Sequence, residues 1–195
     1  TRGETARITV HNRLTVPLSV HWHGIELESY FDGVGDFSGS GPRIAPMIQP
    51  EDSFVVRFTP PRAGTYIYHV HGEANEELAS GLYAPLLVLD PAQRFDPLTD
   101  LVFVFADGGP GGDRPIFTNG TATPDTLHLL PGRQYRFRGI YIAADDVYFT
   151  TLRGPAGPVL GQSVGLDGHD LPPGAPERPF AFPTGPGHTQ DLTFR

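Results

Sequence analysis

The sequence predicts an all-β protein of two Greek-key sandwich or barrel units, and three observations carry that prediction. Short stretches alternate apolar and polar residues with a period near two, 24 Gly and 21 Pro break the chain between them, and 13 Phe and 7 Tyr supply bulk for the cores. A length of 195 residues leaves room for two β-domains of about 90 to 100 residues each.

In the first unit the alternation runs through Arg7–Asn12, Leu18–Gly24, Ser53–Thr59 and Thr65–Gly72, and each reads as a strand with one apolar face. Gly41-Pro42, Pro60-Pro61 and Ala63-Gly64 mark the loops between them. Glu73–Ser80 reads as a short helix that ends at Gly81. Leu82–Leu89 closes the unit as a buried strand, and Asp90–Pro97 has the proline and charge content of a linker. The boundary therefore falls near residue 91, dividing the chain into 1–91 and 92–195. In the second unit Asp100–Ala106, Thr126–Leu129, Gln134–Ile142, Val147–Leu152 and Gln190–Phe194 are the expected strands. The proline-rich stretch from Gly154 to Gly187 reads mainly as loop.

Charge and composition exclude several classes of function. A formal charge of −8, with the 14 Lys and Arg scattered along the chain, argues against nucleic acid. The longest apolar runs, Ala84–Leu89 and Leu101–Ala106, are far too short to span a bilayer, and no basic-then-apolar leader opens the sequence. The expectation is a soluble protein, either mature or cut from something longer. With no Cys there are neither disulfides nor thiolate metal ligands, so cysteine usage says nothing about redox compartment.

The chemistry lies in two segments, His21-Trp22-His23-Gly24 and His69-Val70-His71-Gly72. Residues i and i+2 of a strand share a face, so each pair projects two imidazoles together while Trp22 and Val70 point the other way. Leu18, Val20 and Trp22 then oppose Ser19, His21 and His23, and Tyr66, Tyr68 and Val70 oppose Ile67, His69 and His71. A lone histidine is more often a hydrogen-bonded surface or core residue, but half of the eight histidines cluster here. Imidazole suits copper, zinc, iron or nickel, and four histidines alone do not choose between zinc and copper.

His21-Trp22-His23-Gly24, Asp32-Gly33, Gly64-Thr65-Tyr66-Ile67-Tyr68-His69-Val70-His71 and Gly81-Leu82-Tyr83-Ala84-Pro85-Leu86, in this order and spacing, resemble the first copper-binding domain of multicopper oxidases and laccases. Residues 92–195 resemble the ligand-free middle domain of the same family through Leu130-Pro131-Gly132-Arg133-Gln134-Tyr135-Arg136-Phe137-Arg138 and Leu166-Asp167-Gly168. The string from His23 to Val34 also resembles a bacterial laccase-like group in which an upstream blue-copper domain precedes these two. The resemblance implies two cupredoxin-like domains and a periplasmic or secreted location. It implies that His21 binds the type 2 copper, and that His23, His69 and His71 bind the type 3 pair. Asp32 matches a carboxylate that assists proton delivery during reduction of dioxygen, although an Asp before Gly33 is also an ordinary turn residue. Glu73, Glu76 and Glu77 could offset copper charge or simply favour a helix N-terminus.

A complete family member has eight histidines at its trinuclear site and a blue copper held by two His and one Cys, whereas this chain carries four of the eight and no Cys. His11, His128, His169 and His188 stand outside any His-x-His or His-Cys-His motif and read as surface or core residues. Two readings follow. In the first, the chain is part of a laccase-like oxidase acting on phenols, other organic reductants or metal ions. Another domain or partner chain then supplies the remaining motifs, and the chain alone is inactive. In the second, it is a copper-carrying or degenerate module without turnover. Zinc-dependent hydrolysis is weaker, for want of a motif such as His-Glu-x-x-His.

Overall fold

The computed structural model describes residues 1–71, 78–108, 115–124, 126–143 and 147–195, and almost all regular structure among them is β. The first half carries β1 (Ala6–His11), β2 (Ser19–His23), the one-turn helix α1 (Ser29–Asp32) and the small hairpin of β3 (Gly39–Ser40) and β4 (Arg43–Ile44). It continues with β5 (Ser53–Phe58), β6 (Gly64–His71) and β7 (Tyr83–Val88). β1 pairs with β5, and β2, β6 and β7 form an antiparallel sheet in that order. The apolar faces of the two sheets meet in a core of Trp22, Val56, Phe58, Tyr66 and Val88, with Ile8, Val10 and Val20 packed against it. This is the sandwich that the period-two pattern requires, since each sheet has one face to bury. Of the helix expected at Glu73–Ser80, residues 73–77 lie outside the described residues.

The second half carries β8 (Asp100–Asp107), β9 (Ile116–Thr118), β10 (Tyr135–Ile142), β11 (Tyr148–Thr151), β12 (Arg153–Gly154) and β13 (Gly157–Pro158). It ends with β14 (Leu160–Leu166), β15 (His169–Asp170), β16 (Arg178–Pro179), β17 (Ala181–Thr184) and β18 (Thr189–Phe194). Its main sheet runs β15-β14-β18-β10-β8-β9, with β8 parallel to β10 and every other pair antiparallel. A parallel pair inside an otherwise antiparallel sheet requires a crossover instead of a hairpin.

Two expectations are corrected. Thr126–Leu129 is irregular, not a strand: Pro131-Gly132 turns the chain, and the Leu130 N–H donates to the Tyr135 hydroxyl at 2.8 Å instead of to a neighbouring strand. Within the stretch read as loop, Leu160–Leu166 is a full strand of the main sheet. Its sequence LGQSVGL lacks a run of large apolar residues because Gly165 packs closely on Asp191, where an added Cβ would stand 3.2 Å from the Asp191 Cβ.

The halves share a buried seam. Ile67 of β6 packs with Ala106 of β8 and Ile140 and Ile142 of β10. Beside it, Arg138 reaches Asp100 Oδ1 at 2.8 and 3.0 Å, and both Asp191 Oδ2 and Thr65 Oγ1 at 3.1 Å. The Thr65 hydroxyl donates to Asp191 at 3.0 Å, and that of Thr189 donates to the Thr65 carbonyl at 2.8 Å. Arg138 and Asp191 are each only 3% exposed, and Arg136 also reaches Asp191 Oδ2 at 2.5 and 3.1 Å, so these charges are acceptable in the interior because they are paired.

Candidate metal centre

The register of β2 on β6 assembles the site. His21 lies opposite His69, Ser19 opposite His71 and His23 opposite Ile67, so all four histidines share one face of the sheet. Trp22 and Tyr68, one residue out of phase, stack on the opposite face with ring centroids 5.2 Å apart. One ligand nitrogen from each of His21, His23 and His69 falls within 4.8 Å of the others. The His71 ring stands farther out, its centroid 6.1 Å from that of His21, and it is exposed while the other three are half-buried.

The ring hydrogen bonds leave nitrogens free to face a common point. His21 Nδ1 lies 3.0 Å from the Asp32 carbonyl oxygen, and His69 Nδ1 lies 2.7 Å from that of Val70. A carbonyl only accepts, so both Nδ1 atoms carry the proton and both Nε2 atoms present lone pairs. His69 Nε2 in turn lies 3.4 Å from His23 Nδ1. Donation of one ring nitrogen to a carbonyl or carboxylate is the arrangement that orients a metal-binding imidazole. Burial holds the pKa of His69 down at about 4, and burial followed by the neighbouring His21 lowers those of His23 and His71. The cluster therefore contains neutral imidazoles, the form that binds metal, well below pH 7.

Asp32 is placed by local backbone geometry. It ends α1, which Gly33 caps in the left-handed region at φ +87°, and a Cβ on Gly33 would stand 1.8 Å from the Val20 carbonyl oxygen. Only glycine permits both the turn and that approach to β2, which sets the Asp32 carboxylate 3.3 Å from His21 Nδ1. Asp32 thus ends the turn and lies beside His21 at once. Ser38, unnoticed in the sequence, is 4% exposed and donates its hydroxyl to Asp32 Oδ2 at 2.9 Å.

His11, His128 and His169 are exposed, and none joins the cluster. His188 is also exposed and outside the cluster, but it lies near His23. Its Nδ1 pairs with Asp167 at 3.0 Å, and both residues line a cleft of about 220 Å³ with His23, Thr65, Tyr66 and Gly187. No spacing rule flags it, because it comes from the far end of the chain. Glu73, Glu76 and Glu77 lie outside the described residues. Among the described residues, no helix is long and apolar enough to cross a membrane.

Comparison with known proteins agrees with this geometry. The family described as "Multicopper oxidase" matches residues 1–93. The copper resistance protein A homolog of Pseudomonas syringae pv. tomato is 39% identical over 97 residues, which cover 50% of this chain and 15% of that protein. Laccase-2 of Fomitopsis schrenkii is 30% identical over 186 residues, covering 78% of this chain and 33% of that one. The crystal structure of the blue copper oxidase from Nitrosomonas europaea superposes with a TM-score of 0.77 at 25% identity, over 99% of this chain and 63% of that one. The chain thus spans well under half the length of these two curated relatives. Residues 1–93 match the multicopper oxidase family, and the chain carries the cupredoxin-like fold along nearly its whole length.

Proposed function

We propose that this chain supplies one half of the trinuclear copper site of a laccase-like multicopper oxidase, and that the remaining ligands come from a further domain or partner chain with His-x-His and His-Cys-His motifs. The observation that carries the reading is the convergence of His21, His23 and His69 on one sheet face, with nitrogens within 4.8 Å of one another. In this reading His21 serves the type 2 copper, and His23, His69 and His71 serve the type 3 pair. Histidine nitrogen fits copper, and neutral imidazole is the form that binds it. When bound, copper supplies the electron-transfer chemistry by which dioxygen is reduced to water while a phenolic, other organic or metal-ion reductant is oxidised.

The chain's own residues hold and aim the ligands. Asp32, kept in place by Ser38 and Gly33, stands where a carboxylate can pass protons near His21. The division into domains near residue 91 is part of the same proposal, supported by the lack of regular structure between Val88 and Asp100. A periplasmic or secreted location follows from the resemblance alone.

The test is reconstitution. The chain loaded with copper should not sustain oxygen consumption with a phenol, because the sequence has no Cys for the copper that collects electrons. Adding the missing motifs should restore it, and His23→Ala or His71→Ala should then abolish it. Steady turnover by the isolated chain, lost in those variants and absent with free copper, would overturn the proposal. The second reading, a copper-holding module without turnover, is favoured by the same lack of Cys and predicts copper binding with no gain from any partner.

A further inference from the structure

The turn Gly185–His188, in a half of the chain with no metal-binding motif, lies directly on the His23 imidazole. A Cβ on Gly187 would stand 2.7 Å from Cε1 of His23 and 3.0 Å from Nε2, closer than carbon atoms approach without displacement. The turn is anchored and cannot simply withdraw. The Gly187 N–H donates to the Tyr141 carbonyl at 2.8 Å, and the Tyr141 N–H donates to the His188 carbonyl at 3.0 Å. Tyr141 itself is fully buried in the second-half core. The neighbouring His188 ring is tied to Asp167 at 3.0 Å, and Asp167 also accepts the Thr189 N–H at 2.9 Å. Asp167 and Gly168 are both left-handed, at φ +48° and +73°, and form the two-residue turn between β14 and β15.

On the first half, His23 ends β2 and, among the described residues, has no hydrogen bond to a backbone carbonyl of the kind that orients His21 and His69; its ring lies against those of His21 and His69, with Nδ1 3.4 Å from His69 Nε2. Its orientation must therefore come from packing. We propose that Gly187 is a positioning residue of the metal centre: its lack of a side chain lets the anchored turn form a wall that selects the His23 ring orientation facing His21 and His69. The inference rests on His23 being a ligand, as proposed above, but the contact can be tested without metal.

Gly132 provides the control, because it has the same φ of +76° with nothing within 4 Å of an added Cβ. Gly187→Ala, Gly132→Ala, His23→Ala and the double variant Gly187→Ala/His23→Ala would be compared metal-free by chemical denaturation and by the His23 ring resonances, then titrated with Cu(II). Gly132→Ala should incur only the backbone strain. Gly187→Ala should be less stable than that, with the excess disappearing when His23 is also Ala, as expected for two residues in contact. It should shift the His23 resonances and weaken Cu(II) binding at least tenfold, while Gly132→Ala does neither. Should Gly187→Ala fail to fold, recovery in the double variant supports the contact and failure of both overturns it. A folded Gly187→Ala with unmoved His23 resonances, or an excess cost that persists without His23, overturns this inference alone. Absence of copper binding by the parent chain would instead overturn the reading of His23 as a ligand.

Discussion

The two ends of β6 handle polar groups in opposite ways. Thr65, Ile67, His69 and His71 alternate along one face of that strand, and exposure rises from Thr65 and Ile67, both buried, through half-buried His69 to exposed His71. At the buried end the hydroxyl of Thr65 belongs to a closed network with Arg138, Asp191 and Asp100. At the open end His21 and His69 each make one hydrogen bond to a carbonyl group, and His69 turns its other nitrogen towards His23. The second half of the chain covers the first of these ends, and at the second it meets His23 at the Gly187 turn while His71 stays exposed. Paired charges give a fixed seam, and imidazole nitrogens that face one another give a place for something else to bind.

That contrast is open to experiment, and the largest effect belongs to the closed end. Arg138→Ala leaves half-buried Asp100 without its cation and buried Asp191 with Arg136 alone, so chemical denaturation should show a loss of about 3 kcal/mol. An effect within experimental error would mean that the seam is not a unit and that the halves are held by the Ile67 cluster alone.

At the open end, His69→Ala should leave the metal-free fold nearly as stable as the parent while reducing copper affinity about 100-fold, or about 2.7 kcal/mol, by calorimetric titration. Equal affinities for both proteins would show that copper binds elsewhere.

The depressed pKa of His69 predicts a further difference between the ends. Because the folded state holds this imidazole neutral down to about pH 4 while the unfolded chain takes up a proton near the ordinary 6.5, stability is complete above about pH 6.5. It declines as pH falls through 4. For the metal-free chain the contribution of His69 is about 1–2 kcal/mol, less than full burial would give because the ring is partly solvated. The His69→Gln variant should show a correspondingly flatter stability curve between pH 7 and 4, and an unchanged curve would assign the acid sensitivity to other groups.

The smallest effect is expected at Ser38. Removing its hydroxyl costs Asp32 a buried donor, so Ser38→Ala should lose about 1 kcal/mol and shift the His21 ring resonances. Unmoved resonances would mean that Asp32 keeps its place through Gly33 alone.

Sequence alone was sufficient for the face on which the histidines lie, because a period of two is a local property of any strand. Trp22 and Val70 had to oppose His21, His23, His69 and His71 once those stretches were strands. The same rule placed β1, β5, β8, β10 and β18 to within a residue or two. It failed at Leu160–Leu166, where glycines replace the large apolar residues that make a strand visible, and at Thr126–Leu129, whose composition suits a strand but which pairs with no strand among the described residues. What a local pattern cannot hold is register and long-range approach. The pairing of His21 with His69, the carboxylate of Asp32 beside His21, and above all the Gly187 turn against His23 join residues 48, 11 and 164 positions apart in the chain. Those contacts were decided only when the sheets packed, because the core and the Arg138 seam fix where the two halves meet, and that position determines which backbone lies against each imidazole.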